Sequence, residues 1–263
     1  MTLLKREWKA NYKILLIFLA VVTLYGSIIV AMFDPKLGES LNMMAESMPQ
    51  LFDAFGMSSP GSTLLEFVGN YLYGFILLVI PLIGIVLLCN RLIVRYVDRG
   101  SMAYLLATPN KRVKIITTQA LFLCLSIALL VLYAYALVVI CGMMFFDETV
   151  DLKTFFILNV GLLGLLLFFA GICFLSACVF NDSKYATGIG GGINIFFLLV
   201  NMLSQVSDKL DFMDYINPMS LFQVEEIIAG NHDAYLCFLV LYLLAAVFFI
   251  TGIVIFKKKD LPL

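Results

Sequence analysis

The chain has 263 residues, of which 62% are hydrophobic and 13% charged, with a formal net charge of −1. Soluble domains carry about twice that fraction of charge. The deficit, with 23 Phe and 12 Tyr, excludes an ordinary soluble domain and points to a membrane protein with no nucleic-acid partner.

Residues 1–13 place Leu4, Trp8 and Tyr12 on one helical face, with Lys5, Lys9 and Lys13 as the adjacent stripe. This pattern predicts an elbow helix lying along the inner leaflet, either as a plain anchor or as an element that moves with a motor. Six apolar stretches follow, at about 14–33, 67–90, 115–142, 155–180, 185–205 and 234–256. Each reaches the roughly 20 residues that a helix needs to cross the hydrocarbon. None contains Asp, Glu, Lys, Arg or His, and none alternates with period two, so the fold class is all-α with six membrane helices. The first stretch is too long for a cleaved signal, and no small-x-small site follows it.

The methionine-rich loop 41–57 offers an adaptable contact surface for an amphipathic molecule, or plain packing. The second span reads as helix from about 64 to 98. That is roughly 52 Å against a hydrocarbon core of about 30 Å, so its inner end projects from the membrane. The run YVDRGSMAYLLATPNKR, residues 96–112, comes next. Asp98 and Ser101 suit a helix start, Gly100 permits a turn, and Pro109 stops a short helix over 101–107. Met102, Tyr104, Leu105 and Leu106 then stand at a cytosol-facing tip. They form either a docking surface or an interfacial helix on the headgroups.

The six cysteines lie in or at the ends of spans without C-x-x-C spacing, and the chain has one histidine. They read as small buried apolar residues, and no metal site is expected. The fifth span contains GIGGGIN, in which Gly188 and Gly192 have small-x-x-x-small spacing. Packing within the chain is expected ahead of a dimer seam. Asn194 and Asn201 share a face, and Asn70 and Tyr71 lie near the outer end of the second span. These four either bond helix to helix or line a substrate path. In the following loop Asn217, Pro218 and Gly230 are placed to start and stop a helix.

Charge sorts by side. Fourteen of the 17 Lys and Arg fall on one side of the predicted spans, and 14 of the 18 Asp and Glu on the other. Positive residues stay inside, so both termini are expected in the cytoplasm. Spans without ionisable groups disfavour an ion-coupled transporter, and there is no obvious inverted repeat. Glu225-Glu226 lacks the Arg four residues on that paired-glutamate membrane proteases carry, position 230 being Gly. No G-x-x-x-x-G-K-[ST] loop occurs, so the chain is expected not to be an enzyme, and energy must come from a partner.

The loop 96–112 resembles the first cytoplasmic loop of ABC exporter permeases of the second type, the bacitracin- and lantibiotic-export group. The likeness rests on Asp98, Gly100-Ser101, Leu105-Leu106, Pro109 and Arg112, with Asp98 where the family often has Glu. LLKREWKANYK resembles the family's opening helix, SMPQLFDAFG its first outer loop, and INPMSLFQVEEIIAG the segment before the last span. The resemblance implies a single permease domain over 1–263 in a bacterial plasma membrane. It implies a cytosolic ATPase partner that holds ATP and Mg, and a second permease copy or related permease, all among membrane lipid. The docking residues would be Asp98, Arg99, Ser101, Met102, Tyr104, Leu105, Leu106 and Pro109. The cargo would be a peptide antibiotic or cytolytic peptide. The alternatives are a lipid or ion exporter of the same family, or a non-transporting sensor or scaffold.

Overall fold

The structure, a computed structural model, describes residues 2–33, 43, 47–48, 63–98, 111–146, 151–205, 217–231 and 233–259. Six of its helices are long and apolar enough to cross a bilayer, and no strand occurs among the described residues.

Helix α1 runs unbroken over Thr2–Met32. The expected separate elbow is therefore corrected. No Gly or Pro interrupts residues 2–25, so the amphipathic start simply continues into the span. Its apolar stripe also turns inward, since Leu4 and Trp8 pack on the core. The Trp8 ring meets Phe122 edge-on, with centroids 5.2 Å apart. Tyr12 alone of the three stays largely exposed, at 47%.

Helix α2 spans Leu64–Asp98, 35 residues, so the expected overlong second helix is present. It starts in a capping box, in which Glu66 N–H donates to the Thr63 hydroxyl and Thr63 N–H to the Glu66 carboxylate. Two stretches within it are π-helical, Gly69–Ile76 and Asn90–Val94. Pro81 lies between them. Having no N–H, Pro81 cannot complete the bond to the Leu77 carbonyl one turn back, just where the first wide stretch ends.

Helix α3 is Arg112–Phe145 and α4 is Leu152–Val179. Asp151 caps α4, accepting from the backbone of Lys153 and Thr154 and from the Thr154 hydroxyl at 2.6 Å. Helix α5, Ser183–Ser204, is capped by Asp182. A 3₁₀ turn follows at Pro218–Leu221, then the short α6, Val224–Ile228, and finally α7, Asp233–Lys258. Asn217 caps the turn and Gly230, at φ 77°, closes α6, as their residue types suggest. The single helix expected between them is split at Phe222 and Gln223, which leave the helical region. The break buries Phe222 against the position of Gly161.

Helix α4 is the hub, packed by α2, α3, α5 and α7. Gly161, Gly164 and Gly171 form its small face, and Phe238, Tyr242 and Phe248 of α7 press into it. The Tyr242 hydroxyl donates to the Val160 carbonyl at 2.8 Å. On the other flank α1 packs along α3, where the Thr23 and Tyr133 hydroxyls are 2.6 Å apart.

Candidate functional site

At the acidic end of the bundle lies a cavity of about 360 Å³. The first π stretch supplies Asn70, Tyr73 and Gly74 to its wall, α5 supplies Asn201, and Gln205 at the C-cap of α5 adds a further amide. The segment from Met219 to Glu226 supplies the rim. A π turn carries an extra residue, which widens the helix and re-aims its side chains, and such turns recur at functional sites. Asn70 is only 3% exposed. Tyr73 is fully buried, and its hydroxyl donates to Asn159 Oδ1 at 3.0 Å. Asn159 Nδ2 in turn donates to the Phe155 carbonyl at 2.8 Å, so the wall is fixed to α4. Across the cavity, Asn217 Nδ2 donates to Asn201 Oδ1 at 3.4 Å. Glu225 and Glu226 are exposed at the rim, and Glu226 accepts from the Asn231 amide.

The four amide and phenol candidates divide. Asn70 and Asn201 share the cavity, whereas Tyr71 and Asn194 are not on its lining. Asn194 is completely buried and donates to the Phe169 carbonyl and Cys173 Sγ, both at 3.1 Å. It fastens α5 to α4. The Tyr71 ring stacks beside Phe67, with centroids 4.6 Å apart. Its buried hydroxyl has no hydrogen-bond partner among the described residues. The glycines of α5 also divide, against expectation. Gly190 packs on Cys173 and Ser176, and Gly191 on Val86. Gly188 and Gly192 have open space before them, because their helical face is the one turned away from α4.

At the basic end, Asp98 is the last residue of α2 and is exposed. Arg99, Ser101, Met102, Tyr104, Leu105, Leu106 and Pro109 lie outside the described residues. The helix that leads to them is held firmly. The second π stretch bonds the Arg95 N–H to the Asn90 carbonyl. Gln119 of α3 donates to the Leu92 carbonyl inside that stretch. The Asn90 side chain donates to Thr187 Oγ1 at 2.8 Å and accepts from Ser183 Oγ at 3.0 Å. Arg91 reaches the Ala10 carbonyl at 3.3 Å. Lys259 Nζ caps the end of α4 through the carbonyls of Cys178 and Phe180, at 3.0 and 2.8 Å. Burial pulls that ammonium below the ordinary lysine range. Asn90 with Ser183 and Thr187 was not singled out from sequence, although a lone amide at a span end is a fair signal for such a bridge.

A model of the ABC-2 family transporter proteins matches residues 1–261. The chain belongs to the ABC-2 transporter family. Comparison with curated proteins returns no match. An ABC-2 permease is the multi-pass membrane subunit of an ABC transporter and works with an ABC ATPase. In this ABC-2 permease, one helix joins the two ends just described: α2 lines the cavity with Asn70 and ends at Asp98.

Proposed function

We propose that this permease exports an amphipathic peptide, of the antibiotic or cytolytic kind, from the cell. The basic end faces the cytoplasm, as the charge sorting supports. There the segment from Asp98 to Pro109 docks a cytosolic ATPase, which holds ATP and Mg. The cavity at the opposite end belongs to the cargo path, with Asn70 and Asn201 on its wall. The observation that carries this reading is the continuity of α2 from cavity wall to docking end. Force applied at Asp98 reaches the cavity through one stiff element. Bracing by Asn90 and Gln119 ties that element to α5 and α3. A second permease copy or a related permease completes the transporter. The outward face of α5, with Gly188, Gly192 and Phe196 exposed, supports that partner.

Co-expression with a tagged ABC ATPase tests the docking. The wild-type chain is captured with the ATPase. Replacing Leu105 and Leu106 together by Asp removes two apolar anchors of roughly 1.5–3 kcal/mol each. Capture then falls at least a hundredfold, while the membrane level of the permease is unchanged. Undiminished capture overturns the docking assignment. Cells that carry permease and ATPase accumulate less of a fluorescent amphipathic peptide than cells with an ATPase-dead partner, and equal accumulation overturns the cargo.

A further inference from the structure

We infer that the cavity at the acidic end takes a positively charged amine or guanidinium group carried on an apolar body. This rests on reading the cavity as part of the cargo path. Among the described residues, the charges on its lining have one sign. Among the described residues the lining contains two carboxylates, Glu225 and Glu226, and no Lys, Arg or His. Beneath them the polar groups are neutral. Asn70, Asn201, Gln205 and Gln223 are on the lining, and an amide oxygen can accept from an ammonium or guanidinium. Leu78, Leu165 and Phe222 supply apolar wall for a hydrocarbon stem.

Size narrows the ligand. About 360 Å³ is near the lower end of ligand pockets, which run from roughly 300 to 1,000 Å³. It holds one charged side chain or headgroup with a short stem, and not a whole peptide. Burying an ion is costly unless a counter-charge accompanies it. An anion here would meet two carboxylates, and a cation is matched. Charge sorting along the sequence reinforces the preference, because 14 of the chain's 18 carboxylates and only three of its 17 bases are assigned to this side of the predicted spans. A cleft walled by low-dielectric protein focuses such a field and raises the local concentration of the opposite charge. Favourable interaction with the start of the short α6 accounts for glutamates in its first turn. It does not account for the cavity they overhang, or for the buried Asn70 amide in its wall.

The test uses the full-length permease in lipid vesicles. Gln205→Cys places a reporter thiol at the cavity, and Gln223→Cys gives a second. The wild-type chain supplies the background from its own thiols, which lie in helices. Each reporter is modified with a cationic trimethylammonium-ethyl and an anionic sulfonatoethyl methanethiosulfonate. The cationic reagent is expected to be favoured on the order of tenfold over the ratio for free cysteine. Glu225→Gln with Glu226→Gln, nearly isosteric, returns the ratio to the free value. Decyltrimethylammonium below its micellar concentration slows modification of both reporters. Decyl sulfate and decanol do not. Equal reagent preference, protection by the sulfate or the alcohol as strong as by the ammonium, or thiols silent to both reagents overturns the inference. If ATPase capture persists in that case, the permease reading stands and the charge preference alone falls. If capture fails while the ratio holds, the reverse is true.

Discussion

Tyr73 and Asn159 form a pair that ties a π turn to the hub helix, and its worth can be read directly. The Tyr73→Phe change keeps the ring against Phe155, where the centroids are 5.6 Å apart, and removes only the hydroxyl. Asn159 Oδ1 then loses a donor in a buried site. Side-chain hydrogen bonds in membrane bundles average about 0.6 kcal/mol and reach about 1.7. The expected loss of unfolding free energy, followed in mixed detergent micelles, lies in that range. A cycle with Asn159→Leu isolates the pair from the Asn159 bond to Phe155. Glycine positions give a sharper contrast. A Cβ at Gly161 would lie 2.6 Å from the Phe238 ring and 3.1 Å from Phe222. Because α7 and the segment before it both close on that point, neither ring has an easy retreat. Gly161→Ala is expected to cost about 1–3 kcal/mol of stability. Gly192→Ala meets nothing within 4 Å and leaves monomer stability within about 0.5 kcal/mol of wild type. A fall in cross-linked dimer on the Gly192 change alone would locate the second permease on α5.

Helix ends decide how the elements are held, and one of them titrates. The Asp151 carboxyl sits below the ordinary carboxylate range, chiefly through the Thr154 hydroxyl and then the Thr154 backbone N–H. A depressed folded value means that the contribution is present above the unfolded pKa, about 3.9, and is lost as pH falls through the lower folded value. The wild type is therefore expected to lose melting temperature on acidification below about pH 4 more steeply than Asp151→Asn, which can still accept at the cap. Parallel curves for the two would show that the cap makes no pH-dependent contribution. Most of the elements were legible because their cause is local. A run of apolar residues without charge, bounded by Asp151, Asp182 or Arg112, has one stable form in lipid, and the limits 64–98 of α2 follow from the same pattern. What escaped depended on distant partners. The π turns at Gly69–Ile76 and Asn90–Val94 carry residues that bond to Asn159, Gln119 and Thr187, and none of these is a sequence neighbour. The inward turn of Leu4 and Trp8 needed Phe122 on α3, since an amphipathic stripe looks the same against a leaflet or a protein face. The cavity was half legible. Amides at lipid depth stand out in the sequence, but only the fold separates Asn70 and Asn201, which share a wall, from Asn194, which bonds α5 to α4.

At the scale of the molecule the problem is transmission between two ends of one long helix, and the π turns set its phase. Between them, Leu77–Cys89 is ordinary α-helix, so the orientation of Asp98 relative to Asn70 depends on each wide turn absorbing its extra residue. Removing one residue from Asn90–Val94 lets the stretch return to α-helix and leaves everything beyond it near its original angle, because a wide turn absorbs one extra residue. One alanine inserted between Arg95 and Tyr96 of the undeleted chain instead turns Asp98 by about 100°, the angle of one residue at 3.6 per turn. The fixings on either side make that rotation consequential, since Asn90 is bonded to α5 and Leu92 to α3. The insertion is therefore expected to leave a permease that inserts and captures the ATPase but mis-aims the docking segment. ATP hydrolysis by the complex continues, and peptide export falls at least tenfold. Deletion of Ile93 alone keeps the aim of Asp98, and export is expected to persist in large part. Export lost on the insertion and kept on the deletion would show that phase is what α2 transmits. Loss of export on the deletion would instead place the effect in the Asn90 bridge, which Asn90→Leu in the undeleted chain would then reproduce.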